Sequence, residues 1–288
     1  MKKTVLAATL VLLMSLGACA FEAPGKEVDY KYEVDENFKI DPGVLSFTAL
    51  KASAEDAFVL ETENHTFVMD TGTNKKGKKV VELLKSHGVE KIDAVFISHY
   101  DKDHVGGADR VIDNFDIGAV YTTYRSKATD EMTEYYAALK RKGMNETVVT
   151  EETTFEADGM TFTIYPALSK TYAEDVSNNS SLAVKVTNGN KSILFTGDAL
   201  EERIDELVKT DGLECDILKV PHHGRYKANI KQLVDHVKPE YAVITSSKGD
   251  PAAPEVVDAL EQAGAKIYYT RDDPITFTIT ADNIEVSR

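Results

Sequence analysis

Short apolar runs closed by glycine, proline or paired polar residues recur along the chain, and between them apolar positions repeat every three to four residues. Residues 44–50, 57–61 and 66–69 read as strands, and 80–84 as a helix stopped at Gly88. A further strand at 94–97 precedes a helix over 105–115, a strand at 119–123 and a helix over 130–142. The middle returns to strands at 161–165, 182–186 and 192–196, the last two joined through Asn188-Gly189, a hairpin signal. Helices at 201–208, 230–237 and 255–263 then alternate with strands at 216–220, 241–245 and 266–269, and a strand at 275–279 follows.

Strand and helix patterns interleave without an internal repeat or a linker, so residues 43–288 read as one α/β domain. With 288 residues and 42% apolar content, the chain is long enough for a sizeable core. Its ends are different. Met1-Lys2-Lys3, an apolar run over 5–13 and Leu16-Gly17-Ala18-Cys19 read as an export signal over 1–18 that ends in a lipobox. Cys19 would then be acylated, and the acidic, aliphatic-poor stretch 19–42 would tether the domain outside the membrane. Cys215 then remains alone, so no internal disulfide forms, and its apolar strand marks it as a core thiol. A formal charge of -15 opposes non-specific adhesion to nucleic acid or anionic lipid.

The chemistry concentrates after the strand at 94–97, in Ser98-His99-Tyr100-Asp101-Lys102-Asp103-His104-Val105-Gly106-Gly107. A tight loop throws successive side chains around one point, so His99 and Asp101 can face one ion while Asp103 and His104 face a second. Asp70-Thr71-Gly72, Gly197-Asp198 and Pro221-His222-His223-Gly224 likewise follow apolar strands, at the carboxyl ends where α/β folds build their sites. Each is ordinary in isolation. Asp-Thr-Gly also carries the aspartic-protease carboxylate, but that chemistry needs two, and the triplet occurs once. Gly-Asp is a common turn, and a His-His pair can be a buried core pair, but four of the seven histidines fall in that pair and the 98–107 loop.

Taken in order, Asp70-Thr71-Gly72, His99-x-Asp101-x-Asp103-His104, Asn179-x-Ser181-Leu182, Thr196-Gly197-Asp198 and Val220-Pro221-His222-His223-Gly224 resemble the metallo-β-lactamase superfamily, most closely the hydrolase domain of ComEC-type competence proteins. The resemblance spans residues 43–285 and implies a four-layer αββα sandwich with a two-metal site between the sheets. It implies His99 and Asp101 on one metal, Asp103 and His104 on the other, Asp198 bridging, and His222 completing the second, with the choice between His222 and His223 left open. Asn179 or a water would stand where the superfamily usually has another histidine, and Asp70 would pin the metal loop. Two features depart from the ComEC pattern: Arg225 replaces the serine after His-His-Gly, and 249–254 lacks a histidine before proline.

Two divalent ions would lower the pKa of a shared water, polarise the scissile group and stabilise the developing oxyanion. Asp103 would orient that water or accept its proton, and His223 would contact a leaving group or phosphate; Arg225 and Lys227 are candidates for the same contact but read first as solvated loop charges. Asp101 in place of a histidine favours Mn²⁺, whereas intrinsic affinity favours Zn²⁺. The expectation is a surface-anchored binuclear hydrolase of small or polymeric phosphodiesters, with nucleic acid disfavoured by the chain's acidity. A hydrolase of another ester, lactone or β-lactam is the enzymatic alternative, and a non-catalytic metal- or ligand-binding lipoprotein the other. The oligomeric state is left open.

Overall fold

The computed structural model describes residues 29–288. The expected signal 1–18, Cys19 and the first part of the tether lie outside the described residues. The remainder of the tether, 29–42, contains no helix or strand and lies against the domain. Lys31 N–H donates to Glu82 (2.9 Å), Asp35 N–H donates to the Ser86 carbonyl (2.8 Å), and Phe38 stacks on His87 with ring centroids 3.6 Å apart.

Two mixed sheets form the centre. The first has the order β15-β14-β1-β2-β3-β4-β5-β6, with β1 Leu45–Ala49, β2 Ala57–Glu61, β3 Thr66–Thr71, β4 Lys91–Ile97, β5 Asp116–Thr122, β6 Thr147–Val148, β14 Ile275–Ile279 and β15 Ile284–Ser287. The second runs β13-β12-β11-β10-β9-β8-β7, with β7 Thr153–Ala157, β8 Met160–Tyr165, β9 Ala183–Asn188, β10 Lys191–Phe195, β11 Ile217–Lys219, β12 Tyr241–Ile244 and β13 Lys266–Tyr269. Strands β1 to β3 pair antiparallel across short turns, whereas β3 to β6 and β10 to β13 are parallel. Parallel neighbours need crossovers. The first sheet uses helices α1 Asn74–Ser86, α2 Lys102–Val105, α3 Ala108–Asn114 and α4 Asp130–Lys142. After a single turn, α5 Val176–Asn179, the second sheet uses α6 Glu201–Leu207, α7 Ile230–Val237 and α8 Pro254–Gln262.

Side chains alternate between layers, as the pleat requires. In β4, Ala94 and Phe96 enter the core between the sheets, while Val95 and Ile97 enter the core beneath α1, α3 and α4. Phe47–Phe195 (5.2 Å) and Phe67–Phe162 (4.4 Å) join the two sheets through ring contacts. A third apolar cluster, with Leu194, Leu218, Leu233 and Leu260, fills the space under α6 to α8. This is the expected four-layer αββα sandwich.

The expected helix over 105–115 starts earlier and is broken at Gly106-Gly107. A Cβ on Gly107 would lie 2.5 Å from the Gly77 Cα and 2.6 Å from the Thr71 carbonyl oxygen, so α1 passes the break with its backbone almost touching. The same geometry brings the carboxyl ends of β3, β4, β10, β11 and β12 to one rim of the sandwich.

Candidate metal centre

Asp70, Asp198, the His99–His104 loop and His223 meet at this rim. Asp70 adopts a left-handed backbone (φ 52°) at the end of β3, which turns its carboxylate under the neighbouring strand. Its Oδ1 accepts from Ser98 N–H (2.7 Å), and its Oδ2 accepts from the Ser98 hydroxyl (2.7 Å) and from His104 Nδ1 (2.8 Å). A carboxylate only accepts, so His104 carries its proton on Nδ1. Ser98 has spent its hydrogen on Asp70, and therefore accepts from His99 Nδ1 (3.0 Å).

The same logic fixes His223. The Thr245 hydroxyl donates to Asp56 Oδ1 (2.8 Å), which leaves its oxygen to accept from His223 Nδ1 (2.8 Å). All three rings thus turn Nε2 inward, each braced by a buried carboxylate directly or through a hydroxyl. Such bracing orients metal-binding imidazoles. His99 Nε2, His104 Nε2, His223 Nε2 and Asp198 Oδ1 are buried without hydrogen-bond partners.

The spacing of these orphaned atoms fits a cation. His104 Nε2 lies 3.2 Å from Asp198 Oδ1, and His223 Nε2 lies 3.2 Å from Asp198 Oδ2 and 3.3 Å from Asp103 Oδ2. An ion with bonds of about 2.0–2.1 Å in tetrahedral array sets its ligand atoms roughly 3.3 Å apart. Asp103, His104, Asp198 and His223 form such a group, and a second set, Asp56, Asp70 and His104, adjoins it. Gly197 carries Asp198 into place: its φ is 53°, and a Cβ there would stand 2.8 Å from Ser181 Cβ.

Electrostatics agree. Burial opposes the charge on Asp198, but His104, His223 and Lys219 outweigh it and hold the carboxyl well below its usual range. Burial likewise opposes the charge on His223, yet Asp198, Asp103 and Asp56 push it up to about 10, and Asp198, Asp70 and Asp56 raise His104. Protons therefore balance the carboxylates until a divalent ion displaces them. For His99, burial and neighbouring His104 together lower the pKa.

Three expectations are corrected. His223, not His222, joins the ligand cluster: successive left-handed residues (φ 47° and 56°) point the two rings apart. His222 Nε2 lies 4.0 Å from Asp198 and faces Arg225 Nη1 at 2.9 Å, and burial draws its pKa down to about 4. Asn179 is not free to ligate, because its Oδ1 accepts from Arg203 N–H (3.1 Å) and its Nδ2 donates to the Glu174 carbonyl (2.9 Å). Lys227 is buried rather than solvated, whereas Arg225 is exposed and paired with Asp250 through Nε (3.0 Å) and Nη2 (2.7 Å). Asp101 sits at the edge, 3.6 Å from His99 Nε2, with Lys127 and Ser177 on the same carboxylate oxygen.

Sequence reasoning missed Asp56, Lys219, Thr245 and Lys127. Lys219 is almost fully buried, paired with Asp56, 3.5 Å from Asp198 Oδ1 and donating to the Gly197 carbonyl (3.0 Å). A lysine inside the apolar run Ile217-Leu218-Lys219-Val220 is the signal that could have revealed it.

Residues 51–246 match the metallo-beta-lactamase superfamily. The chain is 26% identical over 179 residues to ComE operon protein 3 of Bacillus subtilis, covering 60% of this chain and 22% of that protein. It is 28% identical over 188 residues to Recombination protein 2 of Haemophilus influenzae, covering 63% of this chain and 22% of that protein. It thus spans under a quarter of the length of these relatives. Among solved structures, the metallo-beta-lactamase fold protein YhfI of Bacillus subtilis superposes with a TM-score of 0.55 at 10% identity, covering 84% of this chain and 100% of that one.

Proposed function

The chain belongs to the metallo-β-lactamase superfamily, and from that premise we propose that it is a metal-dependent hydrolase of phosphodiesters. The observation that carries this reading is the convergence of three braced imidazole Nε2 atoms with Asp198 and Asp103. Asp103, His104, Asp198 and His223 would hold one divalent ion and His99 and Asp101 would stand beside a second, and such ions would supply Lewis acidity and a nucleophilic water near neutral pH. Zn²⁺ and Mn²⁺ both suit this mixed nitrogen and oxygen donor set.

The chain's own groups do the rest. Asp103 is about a quarter exposed, unlike Asp198, and its partners His223 and His104 hold its carboxyl at about 2 although burial opposes this. It is the ligand placed to orient a water. Asp70 and Asp56 keep the rings in the ligating tautomer. Arg225, paired with Asp250, Lys127, paired with Asp101, and the buried Lys227 are local cations on an acidic chain, which suits a local phosphate better than a long polyanion. His222, kept neutral by burial, faces Arg225 rather than the ligand cluster.

A nuclease is the second reading, favoured by the likeness to a competence-operon and a recombination protein. The lipobox at Cys19 supports action at the outer face of a membrane through a lipid anchor, and among the described residues no helix is long and apolar enough to cross one. The test is hydrolysis of bis(p-nitrophenyl) phosphate by the purified full chain reloaded with Zn²⁺ or Mn²⁺. Metal-dependent turnover lost on chelation and in Asp198→Ala is expected. Bound metal without turnover of this diester overturns the phosphodiester assignment and leaves an ester, lactone or amide substrate.

A further inference from the structure

The two ion positions are not equally built. Asp103, His104, Asp198 and His223 form a four-ligand set whose atoms lie within 4.8 Å of one another. Beside it, His99 Nε2 and Asp101 Oδ1 stand 3.6 Å apart and would share Asp198. Of the neighbours that could complete this half, Asn179 is engaged with Glu174 and Arg203, and His222 accepts from Arg225 on Nε2, which puts its proton on the unpartnered Nδ1. Asp101 Oδ1 itself accepts from the Ser177 hydroxyl and pairs with the Lys127 ammonium, which reaches in from the segment between β5 and α4. The aspartate at 101 adds a negative charge, and Lys127 returns the balance.

The geometry points to Lys127 as the resident cation of the second position: the chain holds one divalent ion tightly, and a second enters only by displacing the ammonium from Asp101. This rests on the metal-hydrolase reading and sets its ion stoichiometry. A partly buried ion pair of about 1 kcal/mol weakens the second ion by about fivefold, and the smaller ligand set at that position weakens it further relative to the first.

The test is equilibrium dialysis of the full chain against a series of buffered free Mn²⁺ concentrations, with ion content read by mass spectrometry, for wild type, Lys127→Met and Lys127→Arg. Wild type is expected to take up its first ion at a free Mn²⁺ about tenfold or more below its second. Lys127→Met should bring the second uptake down by about fivefold while leaving the first in place. The unchanged first uptake also verifies its fold. Lys127→Arg should follow wild type. Two ions entering wild type together, or a second uptake that Lys127→Met neither creates nor tightens, would overturn the inference alone. No uptake in any form would overturn it together with the hydrolase reading.

Discussion

Replacing Asp70 by Asn keeps the shape of a side chain whose two oxygens receive three donors: Ser98 N–H, the Ser98 hydroxyl and His104 Nδ1, at 2.7, 2.7 and 2.8 Å. An amide offers one oxygen. With that oxygen toward Ser98 N–H, the NH₂ confronts His104 Nδ1, and relief requires the proton to move to Nε2, where it blocks a ligand position. With the amide flipped, the NH₂ meets a backbone N–H that cannot move. One hydrogen bond to a charged acceptor is lost outright and a buried donor is stranded, at about 2–4 kcal/mol in total. Urea denaturation of the metal-free protein should show that loss. Competitive metal titration should show ion affinity down by about 10- to 100-fold, the usual effect of removing a group that braces a ligating histidine. Wild-type ion affinity in Asp70→Asn would refute the argument that Asp70 sets the tautomer.

Gly107→Ala forces a Cβ to within 2.5 Å of the Gly77 backbone, so α1 and the metal loop must separate; stability should fall by about 1–3 kcal/mol, read from the urea midpoint. The metal-free chain should show a pH window. His223 is raised to about 10 from an ordinary 6.5, so its contribution is full below about 6.5 and disappears as pH rises through about 10. Asp103 is lowered to about 2 from 3.8, so its contribution is present above about 3.8 and is lost as pH falls through about 2. Thermal melts across pH should therefore peak near 4 to 6.5 without metal. Ion binding should release protons and strengthen as pH rises, which calorimetry in buffers of different ionisation enthalpy will detect.

The loci at Asp70, His99–His104, Asp198 and His222–His223 were legible because each follows an apolar run, and an apolar run in an α/β chain ends at the strand's carboxyl edge. The choice between His222 and His223 was not, since adjacency says nothing of two left-handed residues in succession. Asp56 hides in the polar turn before β2 and gains its role only through Thr245 and Lys219, which arrive from the other sheet. Strand β7 reads Thr-Thr-Phe-Glu-Ala and lies at a sheet edge; Thr153, Phe155 and Ala157 alternate with exposed Thr154 and Glu156, but only one of the inward residues is large and apolar, which is too weak a signal. The break at Gly106-Gly107 follows from the contact with Gly77, thirty residues earlier in the chain. The lining of residues 29–42 against α1 was equally invisible: Tyr30 and Phe38 find Asn114 and His87 only after folding.

The most direct test of the site is the metal content of the purified, dialysed full chain, compared with His222→Ala and His223→Ala. Wild type and His222→Ala are expected to retain at least one divalent ion per chain, and His223→Ala to lose it. An ion lost from His222→Ala but kept by His223→Ala, or none in wild type after reloading with Zn²⁺ or Mn²⁺, would contradict the assignment of Asp103, His104, Asp198 and His223 as the metal centre.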